Sequence, residues 1–322
     1  MDSLPDDCIT THPAVVEAVI SLLKKVNAEI YVGDSPGAIG PRLDLDKVYT
    51  QAGMKEVCRR QNVKLAYFEK AILKNGIPMT DWLERCDYII NIPKFKTHGL
   101  TKLTGAIKNM FGMVMGVHKT KIHKDYFKVR KFSEKLVDIF EIAKPVLTIV
   151  DAITALEGDG PGTSGTKKGM GLIVASQDAV AVDSVLATIM GLSPTDILTT
   201  KEAAHRGLGE SNTNRLEILG ENLEEHIDNN FKLPSLSFIY SMPEFLFNIA
   251  KKFAWHKMWV TKKLCRSCKR CIEACPVGAI SLVKNKAYID SKKCILCACC
   301  QENCPYKAII VKKGLLLKIV GV

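Results

Sequence analysis

Acidic residues are nearly missing from the last quarter of this chain. Residues 251–322 hold 16 Lys/Arg against 3 Asp/Glu, a formal +13, within a total of +11, so residues 1–250 sum to −2. A basic end of this kind meets nucleic acid, an anionic membrane or an acidic protein. The sequence holds no nucleic-acid module, which leaves an acidic redox partner or a membrane surface, beside the plainer reading of a solvated lysine face. No apolar run reaches the length that spans a bilayer. Met1-Asp2-Ser3-Leu4-Pro5-Asp6-Asp7 lacks the basic and apolar regions of a signal peptide, so the expected location is cytoplasmic. Two nucleotide signatures are also missing. The glycine-rich Gly158–Gly162 stretch is not closed by Lys-Ser/Thr, and no G-x-G-x-x-G follows a strand directly. A phosphate-cradling P-loop and a standard nicotinamide or flavin site are therefore not expected.

What the chain does have is cysteine, and most of it in one place. Cys265-x2-Cys268-x2-Cys271-x3-Cys275-Pro276 is repeated 29 residues later as Cys294-x2-Cys297-x2-Cys300-x3-Cys304-Pro305. A two-residue spacer lets three sulfurs of one tight loop face one iron–sulfur cluster, and the fourth Cys of each run ligates the other cluster. The expected sets are Cys265, Cys268, Cys271 and Cys304 for one [4Fe–4S], and Cys294, Cys297, Cys300 and Cys275 for a second. Zinc would need only two Cys-x2-Cys pairs and would not explain eight thiols in this order. Disulfides do not fit a chain without a secretory segment. Cys299 is expected to pack beside the ligands; Cys8, Cys58 and Cys86 read as buried or free. Residues 261–313 resemble bacterial-type ferredoxins, including Cys-Pro-x-x-Ala-Ile after each last cysteine. The resemblance implies electron transfer without naming donor or acceptor.

The first two thirds alternate helix and strand, the α/β pattern. A helix over 11–26 is capped by Thr11, has Pro13 in its first turn, and carries Val15, Val16, Val19, Ile20, Leu23 and Val26 as its apolar stripe. Strands are predicted at 28–32, 64–68, 88–92, 146–150 and 171–176, and a short one at 216–219; helices at 132–143, 178–191 and near 195–206. A helix-like run with Gly105, Lys108, Asn109, Gly112 and Gly116 lies between them. The expected fold is a mostly parallel sheet flanked by helices, followed by a small α+β two-cluster domain. In such sheets ligands bind beyond the carboxyl ends of the strands. Four predicted ends carry polar groups: Asp34/Ser35, the loop Lys94/Lys96/His98, Asp151, and Ser176/Asp178.

Several stretches together resemble the domain of unknown function 362 family. They are Thr11-His12-Pro13, Gly33-Asp34-Ser35-Pro36-Gly37, Pro93-Lys94-Phe95-Lys96-Thr97-His98, Lys108-Asn109, Glu157-Gly158-x-Gly160-Pro161 and Asp178-x4-Asp183, covering about residues 9–210. Members often carry a ferredoxin-type insert or tail and have more sequence, including a first strand, before Thr-His-Pro. The expectation is thus an α/β domain over 1–232 that lacks a first strand, a linker over 233–260, and a ferredoxin unit with a tail over 261–322. Residues 244–259 read as a helix dense in Phe245, Phe247, Phe253, Trp255 and Trp259 with Lys251, Lys252 and Lys257; it would pack between domains or lie on a membrane surface. Residues 315–320 would add a strand or pack on that linker.

The candidate catalytic residues are Lys94, Lys96, His98 and Asp151; the candidate cofactor-binding residues are Asp34, Ser35, Lys108 and Asn109. Lysine binds phosphate as a point charge, and histidine titrates near neutrality. Each also has a plainer role: salt-bridged or solvated lysines, a structural histidine, an aspartate that caps a loop or orients a lysine. His118-x4-His123 has helical metal-ligand spacing but no fixed third partner. Two functions stand. One is an iron–sulfur oxidoreductase relaying electrons to a small anion on the α/β domain; the other is a carrier or adaptor whose α/β domain docks a redox partner. A structural or sensing role for the clusters is a third.

Overall fold

The computed structural model describes residues 3–36, 44–237 and 257–312. The chain enters through α1 (Pro13–Leu23), where Pro13 fills the first helical position and its missing N–H costs nothing. His12, not Thr11, is the cap: its Nδ1 accepts the Ala14 N–H at 3.2 Å. Thr11 Oγ1 instead donates to the Ile92 carbonyl at 2.6 Å and ties the helix start to the central sheet. β1 (Tyr31–Gly33) is shorter than the strand expected at 28–32. Two helices beyond the expected set follow, α2 (Leu45–Gln51) and α3 (Met54–Gln61), and then β2 (Lys64–Ala66), which runs parallel to β1. Val16, Ile20, Tyr49, Ala52, Met54 and Val57 form the core of this small layer. β3 (Ala71–Lys74) and β4 (Ile77–Thr80) make a hairpin through Asn75-Gly76, both with φ near +50 to +74°. That dipeptide is favoured there because both central turn residues need left-handed backbone. A helical turn, α4 (Trp82–Arg85), leads on to the main sheet.

That sheet is built from β5 (Ile90–Asn91), β6 (Lys94–His98) and β7 (Lys102–Thr104), then, after α5 (Ala106–Asn109), α6 (Gly116–Asp125) and α7 (Val129–Ala143), from β8 (Leu147–Gly158) and β9 (Gly165–Ser176). β5 and β6 both run parallel to β8 along one edge, separated at Pro93, while β7 and β9 are antiparallel additions on either side. The α/β class with parallel ladders at its centre therefore holds. Two site expectations change. Lys94, Lys96 and His98 lie in a strand rather than a loop, because the ladder resumes immediately after the proline. Asp151 sits inside a 12-residue strand, not at its carboxyl end: β8 runs on to Gly158 by pairing with β9.

α7 buries Phe132, Leu136, Val137, Ile139, Phe140 and Ala143; of the expected core face Leu136, Ile139 and Phe140 are buried and Ile142 is half-buried. Each large side chain fully withdrawn from water contributes about 1.5–3 kcal/mol. α8 (Ala179–Ile189) and α9 (Leu198–His205) complete the layer. Asp178 caps α8 through the Val180 and Ala181 N–H groups. Residues 216–219 form no strand.

In the C-terminal unit β10 (Lys257–Val260) pairs antiparallel with β13 (Ile309–Lys312), and β11 (Ile280–Val283) with β12 (Lys286–Ile289). Residues 257–259 are thus strand rather than the end of a helix, because their partners are the last strand of this unit; Trp259 lies under the Lys312 ammonium, 3.8 Å from the ring centroid. The rest of the expected linker helix (244–256), the expected strand at 315–320, and Gly37 lie outside the described residues. Among the described residues no helix is long and apolar enough to cross a membrane.

Candidate functional site

Four of the clustered cysteines share one pocket. Cys265, Cys268, Cys271 and Cys304 line it together with Val260, Leu282, Ala287 and Ile309. Burial, and then the charges of Cys268, Cys304 and Cys265, push the Cys271 thiol up to about 11. Cys300 is likewise raised by burial and by Cys297, Cys294 and Cys275. Thiols that repel one another this way are what an iron cluster relieves, since it takes them as thiolates. Backbone N–H groups point at the sulfurs: Ala279 to Cys275 at 3.2 Å, Ala308 to Cys304 at 3.3 Å and Ala287 to Cys265 at 3.5 Å. Such donors favour the anionic, reduced form. The residues therefore fit [4Fe–4S] chemistry, in which such thiols would serve as thiolate ligands. Cys268→Ala and Cys297→Ala are each expected to remove about half of the iron. Iron analysis of the anaerobically purified variants checks this; full iron in either one would break the assignment.

The second cysteine run docks on the α/β unit. Thr163 Oγ1 donates to the Cys304 carbonyl at 2.8 Å. A Cβ on Gly162 would lie 2.6 Å from the Glu302 carbonyl oxygen, so only glycine lets the Asp159–Ser164 loop come this close. Ala298 faces Gly99 and packs with Leu236. The short helix Cys299–Glu302 brings Glu302 Oε1 to 3.3 Å from His98 Nε2, although that oxygen makes no aligned hydrogen bond among the described residues.

Around that contact the α/β unit gathers cations. Burial, and then the Lys108 charge, push Lys96 down to about 8, with Asp34 and Glu302 acting the other way. Burial also lowers Lys108, which Glu302 and Cys299 partly offset. Lys119 is held down to about 8 by burial, against the pull of Asp34. His123, stacked on Phe132, is pushed to about 3 by burial and by Lys108 and Lys119. His98 is kept neutral by burial and the Lys108 charge; its Nδ1 accepts the Leu100 N–H at 3.1 Å, which leaves the proton on Nε2, facing Glu302. Glu302 itself is raised by burial, opposed by Lys108 and Lys96.

Of the residues expected at the site, Asp34, Lys96, His98 and Lys108 come together. Lys94 and Asp151 form a separate buried ion pair at 2.8 Å, and Asp151 also accepts the His12 N–H at 2.8 Å. Ser35 contributes its carbonyl, which accepts from Lys119, and its N–H, bound to the Gly112 carbonyl. Asn109 turns to Asn91 Oδ1 at 2.8 Å, within a network that includes Ala106 and Thr148. Asp178 is occupied as a cap and by the Glu210 N–H, away from the site. Asp183 caps α5 through the Ala106 and Ile107 N–H groups, and burial raises it to about 7. His118 and His123 gain no third ligand: among the described residues no three His, Cys, Asp or Glu side chains meet closely enough to hold a single metal ion. Sequence reasoning missed Lys119 and Glu302. Lys119 carries a signal, the i, i+4 spacing to His123; so does Glu302, the sole acid after residue 290.

The family model of the domain of unknown function (DUF362) matches residues 1–188, and that of a 4Fe-4S dicluster domain matches residues 264–308. A thylakoid-associated protein of Synechocystis sp. is 30% identical over 256 residues, spanning 77% of this chain and 78% of its own length. The C-terminal unit is an iron–sulfur domain of the 4Fe-4S kind.

Proposed function

The chain belongs to the domain of unknown function (DUF362) family, and from that premise we propose that it is an iron–sulfur oxidoreductase whose two [4Fe–4S] clusters serve a small anion held by Lys96, Lys108 and Lys119. The observation that carries the reading is the contact between the helix bearing Cys300 and Glu302 and this basic group. The clusters would supply single electrons. Three lysines, Lys119 buried and Lys96 and Lys108 half-buried, lie near two carboxylates, Asp34 and Glu302, and an excess of positive charge so withdrawn from water calls for a counter-ion. The lysines would bind and orient a phosphate or carboxylate. Lys96, whose ammonium loses its proton near pH 8, would hand over the proton that accompanies reduction, while neutral His98 stays 3.3 Å from Glu302 without an aligned hydrogen bond to it. Lys94 and Asp151 support the strand and take no part. Cluster thiolates persist in a reducing compartment, which favours the cytoplasm.

Phosphate and malonate are the probes. Lys96→Ala with Lys108→Ala should keep its iron and lose about tenfold or more in affinity, each charge-assisted contact being worth about 1.5–3 kcal/mol. Binding should also weaken above pH 8. Lys96 and Lys119 are protonated below that pH and neutral above it, so affinity falls by about tenfold per pH unit for each proton the complex needs. Titration calorimetry from pH 7 to 9.5 measures both effects. Equal affinity in the double variant and a flat pH profile would remove the anion from the reading.

A further inference from the structure

The two cysteine loops share a backbone but not a surface. Ser267 and Leu296 have φ of 57° and 59°, and Lys269 and Ala298 have φ of 63° and 60°, so the loops take the same left-handed turns 29 residues apart. Between its ligands the first loop carries Arg266, Ser267, Lys269 and Arg270; the second carries Ile295, Leu296, Ala298 and Cys299. The second loop turns inward, with Ala298 and Cys299 buried beside the α/β unit. The first turns outward: Lys262, Lys263, Arg266, Cys268 and Lys269 are all exposed. Leu264 and Tyr306 stand beside them, 46% and 44% exposed, and Glu273 is the one acidic residue between 261 and 275. A basic rim around a few exposed apolar side chains is the usual make-up of a transient protein interface. A ligand thiol, Cys268, is exposed within it.

We propose that the Lys262–Arg270 loop is the docking surface for an acidic one-electron carrier protein. The inference rests on the electron-transfer reading above and gives it a direction. The reduced carrier would give up one electron to the [4Fe–4S] cluster that Cys265, Cys268, Cys271 and Cys304 would hold, with no atoms transferred. The inward loop, with Cys300 and Glu302, is then the side from which electrons reach the lysine group. An anionic membrane fits the charge less well, because it would cover the exposed thiolate corner without offering it a redox centre.

The probe is an acidic flavodoxin. In its oxidised form it should bind the anaerobic holoprotein at low salt, and the affinity should fall about tenfold or more between ~20 mM and ~300 mM salt as exposed charges are screened. Arg266→Glu with Lys269→Glu should cost about tenfold at low salt and flatten the salt dependence. Lys292→Glu with Lys293→Glu, which reverses exposed lysines before the inward loop, should change affinity less than about twofold. Should the first variant lose iron, the salt dependence of the unaltered protein decides alone. Salt-independent binding, equal losses in the two variants, or capture by phosphatidylglycerol vesicles while flavodoxin is ignored would each overturn the docking surface. Dithionite separates this from the wider reading. If dithionite reduces the clusters normally in those cases, electron transfer stands and only the surface falls; if it yields no reduced iron–sulfur signal in the unaltered protein, both fall.

Discussion

Lys94→Met is expected to destabilise the α/β unit by about 3–5 kcal/mol, the cost of stranding one partner of a buried ion pair. Lys94 and Asp151 are 3% and 0% exposed and meet at 2.8 Å. Without the ammonium, the carboxylate keeps only the His12 N–H and a longer contact to the Ile153 N–H at 3.3 Å. The aspartate also joins the start of α1 to β8, so its loss of charge balance would loosen two layers at once. Denaturant melts of the holoprotein measure the change. Asp151→Leu added to Lys94→Met should recover part of the loss, since an apolar pair of similar volume removes the stranded charge. A single variant within about 1 kcal/mol of the parent would mean that the pair is hydrated and that Lys94 is free for ligand binding.

The second large effect concerns docking. Gly162→Val should separate electron delivery from cluster assembly. A Cβ at this position would stand 2.6 Å from the Glu302 carbonyl oxygen and 3.0 Å from its Cα, both backbone atoms that cannot swing aside. The helix Cys299–Glu302 must then move off His98 and the lysines. Iron content should stay at the parental level, because no cysteine is replaced and the C-terminal unit can shift as a whole, Cys300 included. Electron flow from the clusters to an acceptor on the α/β unit should drop by about 100-fold, the scale on which a 1 Å misplacement acts. Rapid-mixing reduction of the clusters, followed by their reoxidation with bound acceptor, gives the two steps separately. Unchanged reoxidation would show that this contact is not the route.

The iron–sulfur half was legible because its chemistry is local. Eight thiols at fixed spacings leave little to tertiary context, and the pocket lined by Cys265, Cys268, Cys271 and Cys304 follows that spacing. The α/β half was legible as a class, from α7 and α8 above all, whose apolar stripes fix the buried face. The strand limits were not. Pro93 reads as a stop, yet the backbone bonds β8 on both sides of it. β8 runs past Asp151 because β9 supplies an antiparallel partner from a glycine-rich stretch with weak strand preference of its own. Lys108 and Asn109, adjacent in sequence, were grouped together, but their side chains part: the lysine joins the cations and the asparagine joins Asn91. Glu302 was missed for another reason. As the sole acid after residue 290 it stands out, but its role exists only once the ferredoxin unit lies on β6, and the sequence does not name that partner.

The crossed sharing of thiolates has a consequence for how the molecule is put together. Cys304 is grouped with the first loop's thiols, yet its own carbonyl is held by Thr163 of the α/β unit and its near neighbour is Glu302. The apolar core of the C-terminal unit is small, essentially Met258, Val260, Ile280, Ala287, Ile289, Ala308 and Ile309 with the ligands themselves. A core of that size relies on metal to order it. On the proposed reading, iron would do more than supply electrons: its arrival would shape the segment that lies over the lysine group, and a chain short of iron would leave that group uncovered.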